Sequence, residues 1–378
     1  MRIYLLTLSK NQHSMITSVS KKIKVHNFSA GPGILPEEVL QQAAEACINF
    51  DDMNLSLLEI SHRSKNFERV MEEARALVLE HFEVSADEYD VIYLGGGASL
   101  QFAMVPYNFL KTKAAYVNTG VWASKAIKEA QKLGEVNVVA SSEDKKFGYI
   151  PKNFTVPEDV DYLHITSNNT IYGTQYKTFP DVKVPLVCDM SSDIFSRKVD
   201  AKKFSLIYAG AQKNMGPAGA TMVMIRKDFL EKSKGNLLTM LDYKTHIKGG
   251  SMFNTPPVFP VYVVMLTLRW LKKIGGVSAI EKINQQKAEL LYNEIDRNSL
   301  FEGAVIAKED RSTMNVCFRL KNESLEPEFD KMWKEANISG IRGHRDVGGY
   351  RASLYNALPL ESVKVLVEVM QEFEKKFS

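Results

Sequence analysis

The chain has 378 residues, with 48 Lys and Arg against 45 Asp and Glu, a formal net charge of +3. That length suits about two domains and a sizeable core, and 45% hydrophobic with 25% charged residues excludes a disordered or fibrous chain. Three surplus cations are too thin a surplus for a nucleic-acid footprint, so any anion must be held by a local cluster of charge.

The first 22 residues contain no acid and carry Arg2, Lys10, Lys21 and Lys22. Their apolar stretch, Ile3-Tyr4-Leu5-Leu6, is too short for a secretory signal, and no small-residue cleavage site follows closely. Residues 1–22 are expected to be a disordered extension or a misassigned start, with Met15 as a second start; organelle targeting is the alternative. Pro36 followed by Glu37 and Glu38 marks a helix start, the acids complementing the positive end of the helix dipole. Phe67, Val70, Met71, Ala74, Leu77 and Val78 fall on one face, which predicts a helix over 66–82. A strand over 89–94 ends in the Gly95-Gly96-Gly97 turn. Further strands are predicted over 114–117, 136–140, 162–166, 186–189, 206–209 and 221–225, with helical stretches such as 122–132 between some of them. Apolar strands alternating with helices imply an α/β fold whose sheet is mostly parallel and flanked by helices. The apolar run 258–268, interrupted by Pro260, is well short of the ~20 residues of a membrane span and reads as a buried segment. Beyond residue 278 come a helix over 280–296, a strand over 314–320, a helix over 327–336, a glycine-rich turn and a helix over 360–377. The expected organisation is a large domain over 35–278 and a small α+β domain over 279–378, which residues 23–34 join.

Cys47, Cys188 and Cys317 lie far apart without CxxC spacing. They form neither a disulfide framework nor a zinc site, and they suit a reducing compartment. No metal is expected.

Lys213 follows an apolar strand directly, in a turn of small residues. A lysine so placed projects into a cleft, where desolvation lowers its pKa and the free amine becomes a nucleophile able to form a Schiff base. Asp189 ends another apolar strand. Ligands of open α/β sheets bind beyond the carboxyl ends of the strands, so Asp189 and Lys213 are expected to face one crevice, where a carboxylate suits a pyridinium nitrogen. The Gly95-Gly96-Gly97-Ala98-Ser99 turn opens a helix whose first N–H groups form an anion site, to which the Ser99 hydroxyl adds. It lacks the GxGxxG pattern of dinucleotide binding. Trp122, just after a strand, is placed either to stack on a planar ring or to pack in the core.

Seven motifs accompany these residues, beginning at Asn27 (NFSAGP), Glu59 (EISHRS), Gly95 (GGGASLQF), Tyr208 (YAGAQKN), Ser251 (SMFNTPP), Lys282 (KINQQKAELLY) and Gly343 (GHRDVGGYRAS). Together they resemble the class V, fold-type I pyridoxal-phosphate aminotransferases over nearly the whole chain, from about residue 26 to 377. The resemblance implies pyridoxal 5'-phosphate as cofactor, with Lys213 as its Schiff-base lysine and as the base for the substrate α-proton. Asp189 would pair with the pyridine nitrogen, Trp122 would stack on the ring, Thr170 would bond near the ring oxygen, and Ala98, Ser99 and Gln212 would hold the phosphate. Some members have Arg in place of Ser99 and a turn one residue shorter. Asn254 and Thr255 would reach the phosphate from the partner subunit, which implies a homodimer with shared active sites. His62, Arg63, His344, Arg345 and Arg351 would bind a substrate bearing both carboxylate and phosphate, for which planar Arg forks are suited. The implied activity is reversible amino transfer between L-glutamate and 3-phosphohydroxypyruvate, giving O-phospho-L-serine and 2-oxoglutarate, in cytoplasmic serine biosynthesis. In many bacteria it also implies a 4-phosphohydroxy-L-threonine step toward pyridoxine. The rivals are a cysteine desulfurase, which needs a mobile, exposed cysteine, and a non-catalytic binding module on the same fold.

Overall fold

The computed structural model describes residues 25–305, 307–345 and 347–378; the expected N-terminal extension over 1–22 lies outside the described residues. In chain order the elements begin with β1 (His26–Asn27), α1 (Glu37–Ile48), α2 (Lys65–Phe82), β2 (Tyr89–Leu94), α3 (Gly97–Phe109), β3 (Lys113–Asn118), α4 (Val121–Ala130) and β4 (Glu135–Ser141). Then follow β5 (Leu163–Thr166), β6 (Leu186–Asp189), β7 (Leu206–Gly210), β8 (Thr221–Arg226), α5 (Lys227–Leu230), α6 (Tyr243–Lys248), α7 (Val258–Lys273) and α8 (Gly276–Arg297). The chain ends with β9 (Phe301–Gly303), β10 (Asn315–Leu320), α9 (Glu326–Glu335), β11 (Ile338–Ser339), β12 (Tyr350–Ser353) and α10 (Leu360–Phe377).

The local reasons are those of the sequence. The Ser64 side chain caps α2 by accepting from the Phe67 N–H, and the six apolar residues of its expected face are all buried. The interrupted apolar run is the first part of α7, with Pro260 in the first turn, where its missing N–H has no helical partner to lose. A seven-stranded sheet runs in the order β2-β8-β7-β6-β5-β3-β4. Six strands point one way and β8 alone is antiparallel to both neighbours. The ten residues joining β7 to β8 are too few for the helical crossover that a parallel pair requires. One face of the sheet packs with Phe67, Met71 and Val264 from α2 and α7, the other with Phe102, Phe109 and Tyr243 from α3 and α6. The carboxyl ends of β2, β3, β5, β6 and β7 therefore share one edge, with α3, Trp122, Asp189 and the Lys213 turn just beyond it.

A separate apolar cluster, with Leu291, Phe318, Phe329 and Phe373 at its centre, joins α8, α9 and α10 to the antiparallel sheet β12-β10-β9. Phe28 is fully buried in it, and the adjacent β1 pairs in parallel with β11. Where the sequence shows only a glycine-rich turn, the chain makes β12. Gly348 and Gly349 at φ +73° and +60° turn the backbone, and the four residues that follow are too few for a readable alternation. That strand aims Arg351, opposite Cys317 on β10, toward the sheet edge.

Candidate active site

Thr170 is the joint of the site. Its hydroxyl accepts from the Lys213 amine at 2.7 Å, and its carbonyl accepts from Arg351 Nη1 at 3.5 Å. The Lys213 amine also lies 5.3 Å from the centre of the Trp122 ring, so the indole faces it. Burial brings the Lys213 amine down to about 8; the Asp189 carboxylate opposes that fall and the Arg351 charge adds to it. Asp189 is 4% exposed and accepts from the Ser191 N–H at 2.9 Å. Burial raises its carboxyl above the ordinary range, against the pull of Lys213. The Ser191 hydroxyl accepts from the Gly210 N–H at 3.1 Å, tying the loop after Asp189 to the strand end that carries Lys213.

The turn between β2 and α3 supplies a different chemistry. Gly96 and Gly97 take φ of +87° and +66°, and a side chain at Gly96 would strike Leu100. The first helical bond runs from the Leu100 N–H to the Gly96 carbonyl, so the N–H groups of Gly97, Ala98 and Ser99 are left for an anion. Ser99 is exposed and Ala98 half-buried at this N-terminus. Gln212 is half-buried next to Lys213, and its carbonyl accepts from the Gly33 N–H at 2.7 Å.

His344, Arg345 and Arg351 line one cavity of about 820 Å³ together with Tyr172 and Cys317. Two donors of the site, Trp122 Nε1 and Arg351 Nε, are buried without a hydrogen-bond partner, which suits a cleft built for an acceptor-bearing ligand. His62 and Arg63 stand together before α2, with Arg63 Nε 3.3 Å from His62 Nε2 and Arg63 exposed. Asn254 and Thr255 are exposed in the loop before α7. Among the described residues, no hydrogen bond joins these four to Lys213, Asp189, Thr170 or Arg351.

The NFSAGP motif beginning at Asn27 carries a role that its residue types did not announce. A Cβ at Gly33 would sit 2.8 Å from the Lys213 carbonyl oxygen and 2.8 Å from the Tyr355 ring. One at Gly31, whose φ is +147°, would sit 3.3 Å from Lys213 Cγ. Tyr355 donates to the Ala30 carbonyl at 2.6 Å. These glycines, Gly31 inside the motif and Gly33 directly after it, let the N-terminal segment close on the lysine stem, and the motif's place far from any predicted strand was the signal for it. Cys317 is buried, its thiol raised to about 12 by burial and donating to the Ile171 carbonyl, so it is no mobile nucleophile. Cys188 is also buried.

Comparison with known proteins places this chain among aminotransferases. The model of the family described as Aminotransferase class-V matches residues 25–366. The phosphoserine aminotransferase of Flavobacterium psychrophilum is 61% identical over 356 residues, which is 94% of this chain and all of that one. The solved phosphoserine aminotransferase of Bacillus circulans subsp. alkalophilus superimposes with a TM-score of 0.91 at 45% identity, covering 94% of this chain and 99% of that one. The pyridoxal-phosphate-bound phosphoserine aminotransferase of Trichomonas vaginalis does so with a TM-score of 0.87 at 35% identity, over 92% and 100%.

Proposed function

Since the chain belongs to the class-V aminotransferase family, and within it to the phosphoserine aminotransferases, we propose that it transfers the amino group of L-glutamate to 3-phosphohydroxypyruvate, reversibly, yielding O-phospho-L-serine and 2-oxoglutarate. The observation that carries the reading is the Lys213 amine held on Thr170 beneath Trp122, with Asp189 at the neighbouring strand end and Arg351 bonded to the same threonine.

The residues fit pyridoxal 5'-phosphate. Lys213 is the amine that would bear it, Asp189 the carboxylate for its pyridine nitrogen, Trp122 the face for its ring, Thr170 the bond near its ring oxygen. The N-terminus of α3 at Ala98 and Ser99, with Gln212, would take its phosphate. When bound, the cofactor supplies a conjugated ring that accepts the electron pair left on the substrate carbon. The neutral Lys213 amine would take the proton from the substrate α-carbon and deliver it to the carbon on the cofactor side of the shared nitrogen. An amine brought down to about 8 is neutral in roughly a tenth of molecules at pH 7, several hundred times the neutral fraction of a solvent-exposed lysine. Asp189, as a carboxylate, would face the pyridine nitrogen and keep a proton there. Arg351 orients the substrate carboxylate. His344 and Arg345, in the same cavity, receive the phosphate of phosphoserine or the side-chain carboxylate of glutamate.

The reading includes a homodimer in which Asn254, Thr255, His62 and Arg63 complete the neighbouring subunit's site. Leu238, Met240 and Phe253 are 65%, 46% and 46% exposed, and Phe253 directly precedes Asn254, an apolar surface that suits a subunit interface. It also includes the cytoplasm as location, which the three free cysteines suit, and a large cofactor domain over 35–278 beside a small one over 279–378 with 23–34. The separate cluster that takes in Phe28 supports that division. Among the described residues no helix is long and apolar enough to cross a membrane, and no group of side chains forms a metal site.

The test is a donor panel of phosphoserine, 4-phosphohydroxythreonine, serine and alanine, with 2-oxoglutarate as acceptor. The phosphorylated donors should be preferred by at least about 10²-fold in kcat/KM, the worth of a desolvated bidentate contact. Equal rates on serine and phosphoserine would contradict the substrate assignment.

A further inference from the structure

The motif at residues 282–292 takes no part in the chemistry above, yet Asn284 and Lys287 within it are 1% and 0% exposed. Asn284, on α8, donates from Nδ2 to the Ser196 carbonyl at 2.9 Å and to Asn356 Oδ1 at 2.8 Å. Asn356 in turn donates from Nδ2 to the Phe195 carbonyl at 3.0 Å, and from its backbone N–H to Asn214 Oδ1 at 2.9 Å. Asn214 donates from Nδ2 to the Ile194 carbonyl at 2.5 Å. Three successive carbonyls, those of Ile194, Phe195 and Ser196, are thus each taken by an asparagine amide, from three segments remote in sequence.

The carbonyls belong to the loop that leaves Asp189. Phe195 there takes a left-handed φ of +54°, unusual for a bulky residue and sustained only where neighbours over-determine it. Asn214 directly follows Lys213. Three residues beyond Asn284, Lys287 donates to the carbonyls of Leu354, Tyr355 and Leu358 at 2.9, 2.9 and 3.1 Å. It thereby holds the segment that carries Asn356 and continues from the strand bearing Arg351. A primary amide offers two donors and an acceptor, so it can bridge backbone groups of two segments at once. Apolar side chains of the same size would leave the carbonyls buried and unpaired.

We propose that Asn214, Asn284 and Asn356 are positioning residues, a clamp that sets Asp189 against Lys213 and fixes both relative to the segment bearing Arg351. The proposal rests on the reading in which Lys213 and Asp189 hold the cofactor. The charges facing the Lys213 amine are Asp189, Asp193 and Arg351. Asp193 lies in the clamped loop, where the Ser167 hydroxyl and Gln175 Nε2 hold its carboxylate. Loosening the clamp moves both carboxylates relative to the amine and admits water to it, so the amine titrates differently.

The test uses the full-length protein stripped of pyridoxal phosphate. Lys213 is carbamylated with cyanate across pH 6–11, and its extent of modification is read by peptide mass spectrometry. Asn284→Ala and Asn356→Ala should displace the Lys213 midpoint from wild type by about half a pH unit or more. In the reloaded enzyme they should lower kcat about tenfold with KM nearly unchanged. Leu366→Ala, in the separate apolar cluster, should lower the melting temperature and leave the Lys213 midpoint alone. Clamp variants that melt earlier but keep the wild-type midpoint would overturn the proposal. Should Asn356→Ala not fold, Asn284→Ser, which keeps one donor, is judged by the same midpoint. A wild type that takes up no pyridoxal phosphate would sink the functional reading instead, an outcome that the midpoint comparison does not share.

Discussion

Gly33→Ala probes the closure of the N-terminal segment on Lys213 with one methyl group. The added Cβ would stand 2.8 Å from the Lys213 carbonyl oxygen and 2.8 Å from Tyr355 Cδ2, roughly half an ångström inside normal contact on both sides. Neither side yields cheaply. Gly33 is tied to the Gln212 carbonyl at 2.7 Å, and the Tyr355 ring is anchored by its hydroxyl on the Ala30 carbonyl at 2.6 Å. Overpacking of this kind costs about 1–3 kcal/mol. Because the strain falls on the lysine's own peptide, the misplacement passes to the amine, and a displacement of this order costs about tenfold in kcat. The assay pairs thermal unfolding with steady-state kinetics, with Gly235→Ala as control, since a Cβ there meets nothing within 4 Å. Gly33→Ala should melt several degrees lower and turn over about tenfold more slowly, with Gly235→Ala unchanged in both. A Gly33→Ala protein matching wild type in both would refute the reasoning.

Asp189→Asn should lower kcat by about 10²–10⁴, since the amide holds no proton at the pyridine nitrogen, while cofactor uptake persists; a rate within threefold of wild type counts against the pairing. In the cofactor-free protein, cyanate modification of Lys213 should have its midpoint near the amine's value of about 8, and Thr170→Val, which removes the acceptor of the ammonium, should move that midpoint to lower pH; an upward move would contradict the assigned bond. The sign for stability follows from the same depression. Between about 8 and the ordinary 10.5 the unfolded chain binds the proton that the native amine has lost, so this group's contribution to the stability of the cofactor-free protein rises with pH across that window. Urea midpoints at pH 8 and 10, compared with those of Lys213→Met, read that slope, and an equal slope in both proteins would contradict it. Arg345→Ala should weaken phosphoserine far more than alanine as donor, and equal losses would remove Arg345 from the phosphate site.

The large sheet and its helices were legible because their patterns are local. The predicted strands over 89–94 and 186–189 and the final helix over 360–377 coincide with β2, β6 and α10. The α2 face was readable from the period of its apolar residues. Asp189 and Lys213 could be paired from sequence because both follow strands whose carboxyl ends share an edge. β12 was not readable: four residues behind two glycines give no alternation, although the strand aims Arg351. The asparagine clamp was equally silent, since residues 214, 284 and 356 meet only after the sheet, α8 and the C-terminal segment have packed. The KINQQKAELLY motif flagged one of its members without its reason. His62, Arg63, Asn254 and Thr255 were legible as motif residues, yet the folded chain leaves Arg63, Asn254 and Thr255 on its surface.

The central claim is that Lys213 is the amine that carries the cofactor. Borohydride reduction of the pyridoxal-phosphate-loaded protein, followed by peptide mapping, reads it directly. The cofactor mass should appear on the peptide containing Lys213 and be absent from Lys213→Ala. Cofactor fixed on another lysine, or none fixed at all, would contradict the account.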